Sequence, residues 1–423
     1  LGDVYKRQHL DHSGLIPKLV REGFSGKIIA TPATAELLPI VLCDAARIQE
    51  EDAAYKKKRH KKEGRRGPYP EIPLYTEAEV EEALKLVRTA PYEKTIPLGR
   101  TILARFCDAG HILGSSMVEL TIKQRRQHLR IIFTGDIGQW NKPLVRDPSV
   151  FERADAVIME STYGDRDHED PADEETMLAE IVNETVRAGG NVVIPVFAVE
   201  RAQELLFHLS RLVRQKRIPR LPVFLDSPVA TDVTEVFLHH SECLDKETLG
   251  LFRSGRSPFK FSGLKFTRTQ EESKAINSFR GSCLILAGSG MCTGGRIKHH
   301  LVQNISRPES TILFVGYQAK GTLGRQILEG QPEVRIFGQQ HFVRAKIRQI
   351  QAFSGHADKS DLLKWLDNFT IPVPQVFLTH GEKDVSLSLR NLIVRQKGWN
   401  VAVPAYQETW DWSSPSNSQA FLK

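Results

Sequence analysis

The sequence predicts an α/β protein of two domains, one inserted into the other. Three observations carry this: short apolar, β-rich runs recur along the chain, amphipathic helical patterns separate them, and 423 residues with 40% hydrophobic and 26% charged content suffice for two cores. A fibrous or largely disordered chain would not have this make-up.

In order, the strand-like runs are KIIATP (27–32), TILARFC (101–107), RIIFTGD (130–136), AVIMEST (156–162), NVVIPVFA (191–198), PVFLDSP (222–228), CLILAGSG (283–290), TILFVGY (311–317), VRIFG (334–338) and QVFLTHGE (375–382). Helical periodicity covers 77–88, 173–187, 200–212, 359–369 and 385–397. The acidic stretch GDRDHEDPADEE (164–175) stops any strand at Pro171 before a new helix begins, and a second junction falls near 344–352. The expected division is therefore a first domain over 1–170, an insertion over 171–350, and a return to the first domain over 351–423.

No run reaches the roughly 18 apolar residues of a membrane span, and Leu1 to Gln8 lacks the apolar core of a secretory signal, so a cytoplasmic protein without a membrane partner is expected. Cys43, Cys107, Cys243, Cys283 and Cys292 form no CxxC pair and read as small buried apolar residues. The net charge of +7 is matched by one stretch, KKKRHKKEGRR (56–66), with eight Lys/Arg and one Glu, which leaves the remainder neutral. It reads either as a phosphate-seeking arm or as a solvated loop beside Gly67-Pro68.

Histidines and carboxylates gather where strands give way to loops. HLDHSG carries His9, Asp11 and His12, which share no helical face but can converge from a tight loop on two adjacent cations. His111 in DAGHILGS is flanked by small residues that let backbone crowd a buried site. Asp136 follows a strand in FTGDIG, where it is either a bridging carboxylate or a turn cap. His380 ends the strand of LTHGE, His356 precedes a helix in SGHADKSDLL, and Glu160 ends the strand of AVIMESTYG, where a carboxylate can orient a histidine.

In this order the clusters resemble the metallo-β-lactamase superfamily, specifically its β-CASP branch of nucleic-acid-processing enzymes, the bacterial and archaeal relatives of the cleavage and polyadenylation specificity factor endonuclease. HLDHSG is similar to the end of the HxHxDH motif, DAGHILGS to the single-histidine motif and FTGDIG to the bridging-aspartate motif, while ESTYG, SGHAD and LTHGE resemble the three motifs that define the branch. IPVFAVERAQELL, FLDSPVAT, LAGSGMCTGGRI and VGYQAKGTLGRQI extend the likeness through the insertion.

The resemblance implies a metallo-β-lactamase αββα sandwich, incomplete at its N-terminus, with an inserted β-CASP domain and an RNA-specificity region around SGHAD and LTHGE. It implies two zinc ions, one on His9, His111 and a further histidine, the other on Asp11, His12 and His380, with Asp136 bridging. His356, Glu160 and Asp11 would act in catalysis, with His356 protonating the leaving ribose oxygen. RNA is the implied substrate, because RNA-cleaving members carry histidine where this chain has His380, and single strands suit a narrow cleft between two domains; family members cut such RNA internally, trim it from the 5′ end, or do both. Homodimers are common among such proteins. Phosphates are expected at Ser289, Gly290, Thr293, Gly294 and Arg296, in a loop that reads equally as a tight strand-to-helix turn, with Ser227 and Arg201 facing the RNA. The pairs His239-His240 and His299-His300 are expected at the surface.

The chain departs from the family in one place: Arg7 stands where the first motif opens with histidine, and no strand precedes it, so an N-terminal truncation is expected. The same residue motivates a rival reading as a non-cleaving RNA-binding or scaffold paralogue. A small-molecule hydrolase would share the metal motifs but would need neither Glu160 nor His356.

Overall fold

All ten apolar runs become strands in the computed structural model, which describes residues 10–64, 70–123, 128–168, 171–350 and 353–410. The chain divides into two units: Leu1–Thr89 with Asp170–Glu242 and Glu247–Phe353, and Ala90–Glu169 with Cys243–Lys246 and Ser354–Lys423. Residues 1–89 group with the middle segment instead of with the residues that follow them.

The second unit is built on a seven-stranded mixed sheet in the order Val401–Ala402, Gln375–Thr379, Ala156–Glu160, His128–Phe133, Ser116–Lys123, Ile102–Asp108, Thr95–Pro97. The first four strands run parallel, and the remaining pairings are antiparallel. Its core packs Ile132, Val157, Met159, Val376 and Leu378 of the sheet against Leu362, Trp365, Leu366, Leu389 and Ile393 of the helices Lys359–Leu366 and Lys383–Lys397. Asp358 starts the first of these helices by accepting the Asp361 N–H at 2.8 Å, the local polar cap that the sequence suggests.

The first unit holds a six-stranded all-parallel sheet in the order Leu264–Phe266, Val223–Asp226, Leu284–Ala287, Val192–Pro195, Thr311–Phe314, Lys346–Gln349. Its four central strands are buried at every residue, as expected when both faces of a parallel sheet are covered, and so they read as continuous apolar runs in the sequence. The same unit contains the 32-residue helix Pro32–Glu63, opened by Thr31, whose side chain accepts the Thr34 N–H at 3.2 Å, with proline in the first turn. Residues 56–63 of the basic run are the end of this helix, not a loop.

Periodicity over 77–88 overruns the helix, which is Glu77–Leu84; Val87–Thr89 instead pairs in parallel with Ile28–Ala30, where β-branched Val87 and Thr89 suit an extended backbone. The five cysteines are unpaired and all but Cys43 are buried. Burial pushes the Cys107 and Cys283 thiols up to about 12, which suits inert packing. Among the described residues, no helix is long and apolar enough to cross a membrane.

Candidate active site

Three adjacent parallel strands of the second unit end in reactive side chains. His128–Phe133 leads into Asp136, Ala156–Glu160 ends on Glu160, and Gln375–Thr379 leads into His380. Phe133 is in register with Ile158, and Thr379 with Glu160, so these ends lie side by side at the roughly 4.8 Å spacing of paired strands. His111 comes from the connection between Ile102–Asp108 and Ser116–Lys123, and His356 from just before the helix Lys359–Leu366. Gly138 forms an isolated antiparallel bridge with His356.

The loop carrying His111 is shaped by its neighbours. Gly110 has φ +65°, and a Cβ there would lie 2.6 Å from the Arg146 carbonyl oxygen, so only glycine fits without a shift. Asp108 accepts the Gly110 N–H at 2.9 Å through Oδ1. Burial pushes the Asp108 carboxyl up to about 7, against the lowering influence of that N–H and of Arg146.

Asp136 faces a different histidine with each oxygen: His111 Nε2 lies 3.6 Å from Oδ2, and His380 Nδ1 lies 3.3 Å from Oδ1. Both separations are long for a strong N–H···O bond. Two donors each about 2.0–2.1 Å from a tetrahedral zinc stand about 3.3–3.4 Å apart, so these pairs suit a shared cation. The His111 Nδ1 lies 3.0 Å from the Gly355 carbonyl, which fixes the proton on that nitrogen and turns the Nε2 lone pair toward Asp136. A Cβ on Gly355 would press on the His111 ring at 3.0 Å. His380 adopts φ +51°, rare for a non-glycine residue, and its carbonyl accepts the Thr162 hydroxyl at 2.9 Å. The residues present therefore fit a divalent metal.

Beside them, His356 Nδ1 lies 2.9 Å from Oε2 and 3.2 Å from Oε1 of Glu160. Glu160 is 1% exposed, and its Oε1 also accepts the Ile137 N–H at 2.5 Å. Burial pulls the His356 imidazole down, but attraction to and hydrogen bonding with Glu160 overcome it, and the net shift is upward. With Nδ1 occupied, Nε2 is the ring's remaining donor. The His356 and His111 rings are 4.4 Å apart between centroids. His168, kept below its ordinary value by burial, donates Nε2–H to the His356 carbonyl at 3.1 Å and its backbone N–H to Asp358 at 3.0 Å.

Within the second unit the structure thus gathers His111, Asp136, Glu160, His356 and His380. His12 sits exposed in the helix Leu10–Ser13 of the first unit, while His9 and the side chain of Asp11 lie outside the described residues. Sequence reasoning missed Asp108 and His168. The first was visible immediately before Ala109-Gly110-His111, and the second was hidden in a stretch read only as a boundary.

In the first unit, the expected phosphate-binding residues form the walls of a loop after Leu284–Ala287. Ser289 Oγ accepts the Gly294 N–H at 3.3 Å and lies 3.3 Å from the Thr293 hydroxyl, while Gly290 packs against the Phe197 ring. Arg296 donates to Asp226 at 2.7 Å and to the Arg268 carbonyl at 2.6 Å. Ser227 caps the helix Pro228–His239 by accepting the Ala230 N–H at 3.2 Å. Arg201 corrects its expectation of facing RNA: it is 7% exposed and turned into an ion pair with Glu204.

Two surface histidines are corrected as well. His300 is fully buried because its Nε2 lies 2.6 Å from Asp226 Oδ2, and His240 is buried between Glu36 and Glu242, each at 2.8 Å. Burial pulls the Asp226 carboxyl up, but hydrogen bonds from His300, Ser273, Thr267 and Arg296 outweigh it and hold it at about 2.

Residues 202–327 match the Beta-Casp domain family, and residues 341–404 match the Zn-dependent metallo-hydrolase RNA specificity domain. The chain is 38% identical over 400 residues to Ribonuclease TTHA0252 of Thermus thermophilus, covering 95% of this chain and 85% of that protein. The chain belongs to the metallo-β-lactamase-fold β-CASP ribonuclease family. Transcription termination factor FttA of Methanosarcina mazei is 31% identical, and that of Thermococcus kodakarensis 32%; the chain spans 60% of the length of each. Within this β-CASP family member, the strands Val223–Asp226, Leu264–Phe266, Leu284–Ala287 and Thr311–Phe314 of the parallel sheet and its Gly-rich loop fall in the matched Beta-Casp segment, while His356 and His380 fall in the matched RNA specificity domain. The metallo-hydrolase match supports a divalent metal, with zinc the metal of the matched family, and His111, Asp136 and His380 are donors whose spacing fits one.

Proposed function

We infer that the chain is a zinc-dependent ribonuclease that hydrolyses phosphodiester bonds in single-stranded RNA, as an endonuclease with trimming from the 5′ end as a further activity of the same site. The observation that carries this reading is the pairing of His356 with buried Glu160, 2.9 Å apart, beside the Asp136 carboxylate shared by His111 and His380. A small-molecule hydrolase has no need of that pair.

His111, Asp136 and His380 would hold zinc, and two ions sharing Asp136 are proposed, with His9, Asp11 and His12 as the remaining candidate donors. Zinc in such a site supplies an activated water near neutral pH and offsets the charge gathering on the transferred phosphoryl group. The Gly355 carbonyl keeps His111 in the tautomer that presents Nε2. Glu160 accepts the Nδ1 proton of His356 and so favours its charged form, and His356 delivers its Nε2 proton to the departing 3′-oxygen, which leaves a 5′-phosphate on the product. Ser289, Thr293, Gly294 and Arg296 are proposed to bound the path of the RNA phosphates.

The test is cleavage of labelled single-stranded RNA by the purified chain with zinc, beside Asp136→Asn and His356→Ala. Both variants should cut at least about a hundredfold more slowly, and Asp136→Asn should also lose zinc by elemental analysis. Wild-type rates in both would overturn the assignment. Arg7 favours one other reading, an RNA-binding chain that does not cut, which predicts RNA retained at full length by the wild-type protein.

A further inference from the structure

The basic run is the strongest charged feature outside the candidate site, and the catalytic reading leaves it unused. Its described part, Lys56 to Glu63, forms the last two turns of the helix Pro32–Glu63. One line of that helix is docked: Leu42, Ala46 and Ala53 are buried, Gln49 accepts the Leu74 N–H at 3.0 Å, and His60 pairs with Glu71. At 3.6 residues per turn these five positions project within an arc of about 60°. Tyr55, Lys58, Arg59 and Lys62, at i, i+3, i+4 and i+7, fall on the opposite side. Tyr55 is 65% exposed, and Lys56, Lys57, Lys58, Arg59, Lys61 and Lys62 are all exposed.

Among the described residues, Arg59 has a carboxylate partner, Glu63 at 3.1 Å, whereas Lys56, Lys57, Lys58, Lys61 and Lys62 have none. The helix dipole offers roughly half a negative charge at this end, far less than five lysines carry. Lys57 with Lys61, and Lys58 with Lys62, are moreover like charges one turn apart, which disfavours the helix when it is alone. A bound polyanion removes that repulsion. Glu50, Glu51 and Asp52 set the upstream edge of the patch. It lacks the exposed Leu, Phe or Trp that an interfacial membrane helix buries, and its one large exposed ring is Tyr55, of a kind on which bases stack.

We propose that the outward face of this helix end captures single-stranded RNA, with the lysines and Arg59 on successive phosphates and Tyr55 under a base. The choice of RNA as the polyanion rests on the ribonuclease reading. This contact is distinct from the metal centre, so binding and cutting are separable.

The test is anisotropy of a fluorescent single-stranded RNA on the full chain, in EDTA so that cleavage plays no part, over a range of salt concentrations. Glutamine at Lys58, Arg59, Lys61 and Lys62 together keeps good helix formers in place. Four lost phosphate contacts should flatten the slope of log affinity against log salt by about 2 to 3 and weaken binding at least tenfold at moderate salt. Tyr55→Ala should weaken binding about tenfold with the slope unchanged. An unchanged slope in the quadruple variant, with the circular dichroism of the wild type, overturns the proposal. So does a polyglutamate peptide of equal charge that binds as tightly as RNA, since the patch would then suit an acidic protein. If zinc-loaded wild-type chain fails to cut RNA while the slope difference persists, the ribonuclease reading falls and the capture surface stands.

Discussion

Replacing Glu160 by glutamine isolates the charge behind the proposed acid. The carboxylate serves two donors at once, the Ile137 N–H at 2.5 Å through Oε1 and His356 Nδ1 at 2.9 Å through Oε2. An amide has one acceptor oxygen. With that oxygen on Ile137, the NH2 group points at His356 and is accommodated only by an imidazole that is neutral at Nδ1. Proton transfer by a positioned side chain contributes about 10²–10⁴ in rate, so Glu160→Gln should lower kcat by that factor, about 3–5 kcal/mol, and leave KM nearly unchanged. The imperfect hydrogen bonding should also cost about 1–3 kcal/mol of stability.

The pH dependence gives an independent reading. His356 acts in its protonated form and its folded-state value is raised above 6.5, so wild-type kcat should fall as pH climbs through that raised value, and in Glu160→Gln the fall should begin at lower pH. By linkage, the pair's contribution to stability is complete below 6.5 and is lost as pH rises through the folded-state value. Single-turnover cleavage with saturating zinc measures the rate across pH, and His356→Ala with Glu160→Gln should be no slower than His356→Ala alone. A Glu160→Gln enzyme within about threefold of wild type, with the alkaline fall unmoved, would refute the reasoning.

Gly110→Ala places a Cβ 2.6 Å from the Arg146 carbonyl at φ +65°, and should lower stability by about 1–3 kcal/mol or more in thermal melts, with zinc affinity falling as His111 moves. Asp226→Asn removes the anion that Arg296 and His300 share, and should destabilise the fold by about 3 kcal/mol or more in denaturant titrations, with no direct effect on the zinc content of the second unit. Because Asp226 is held at about 2 instead of its ordinary 3.8, its contribution of about 2 kcal/mol should be present above pH 3.8 and drain away as pH falls toward 2, and the variant's acid unfolding should lack that component.

The strands were legible because a doubly covered parallel strand such as Val192–Pro195 or Thr311–Phe314 is buried at every position, and a short continuous β-branched run suits little else. Asp136, Glu160 and His380 were legible for a related reason: each stands at the end of an apolar run or within three residues of it, and parallel neighbours in register bring those ends together. Burial of a polar side chain is another matter, since it is decided by partners remote in sequence. His300 looked like a surface residue because Asp226 is 74 positions away, and His240 because Glu36 is 204 positions away. The long helix went unread for want of a clean apolar stripe, although Thr31-Pro32 marked its start and Gly64 its end.

The geometry also explains why the proposed acid needs a carboxylate of its own. Asp136 lies close enough to favour a charged His356, but its two oxygens already face His111 and His380. Any cation held there would cancel its attraction and repel an imidazolium whose ring stands 4.4 Å from that of His111. Burial opposes the charge as well. Among the described carboxylates, Glu160, itself 1% exposed and anchored by the Ile137 N–H, is the one hydrogen-bonded to the His356 ring, so removing its charge should silence proton transfer while leaving the cradle of His111, Asp136 and His380 intact. Zinc content measured on Glu160→Gln should therefore equal that of the wild type even as its cleavage rate collapses, and a variant that loses metal together with activity would place Glu160 in the cradle instead.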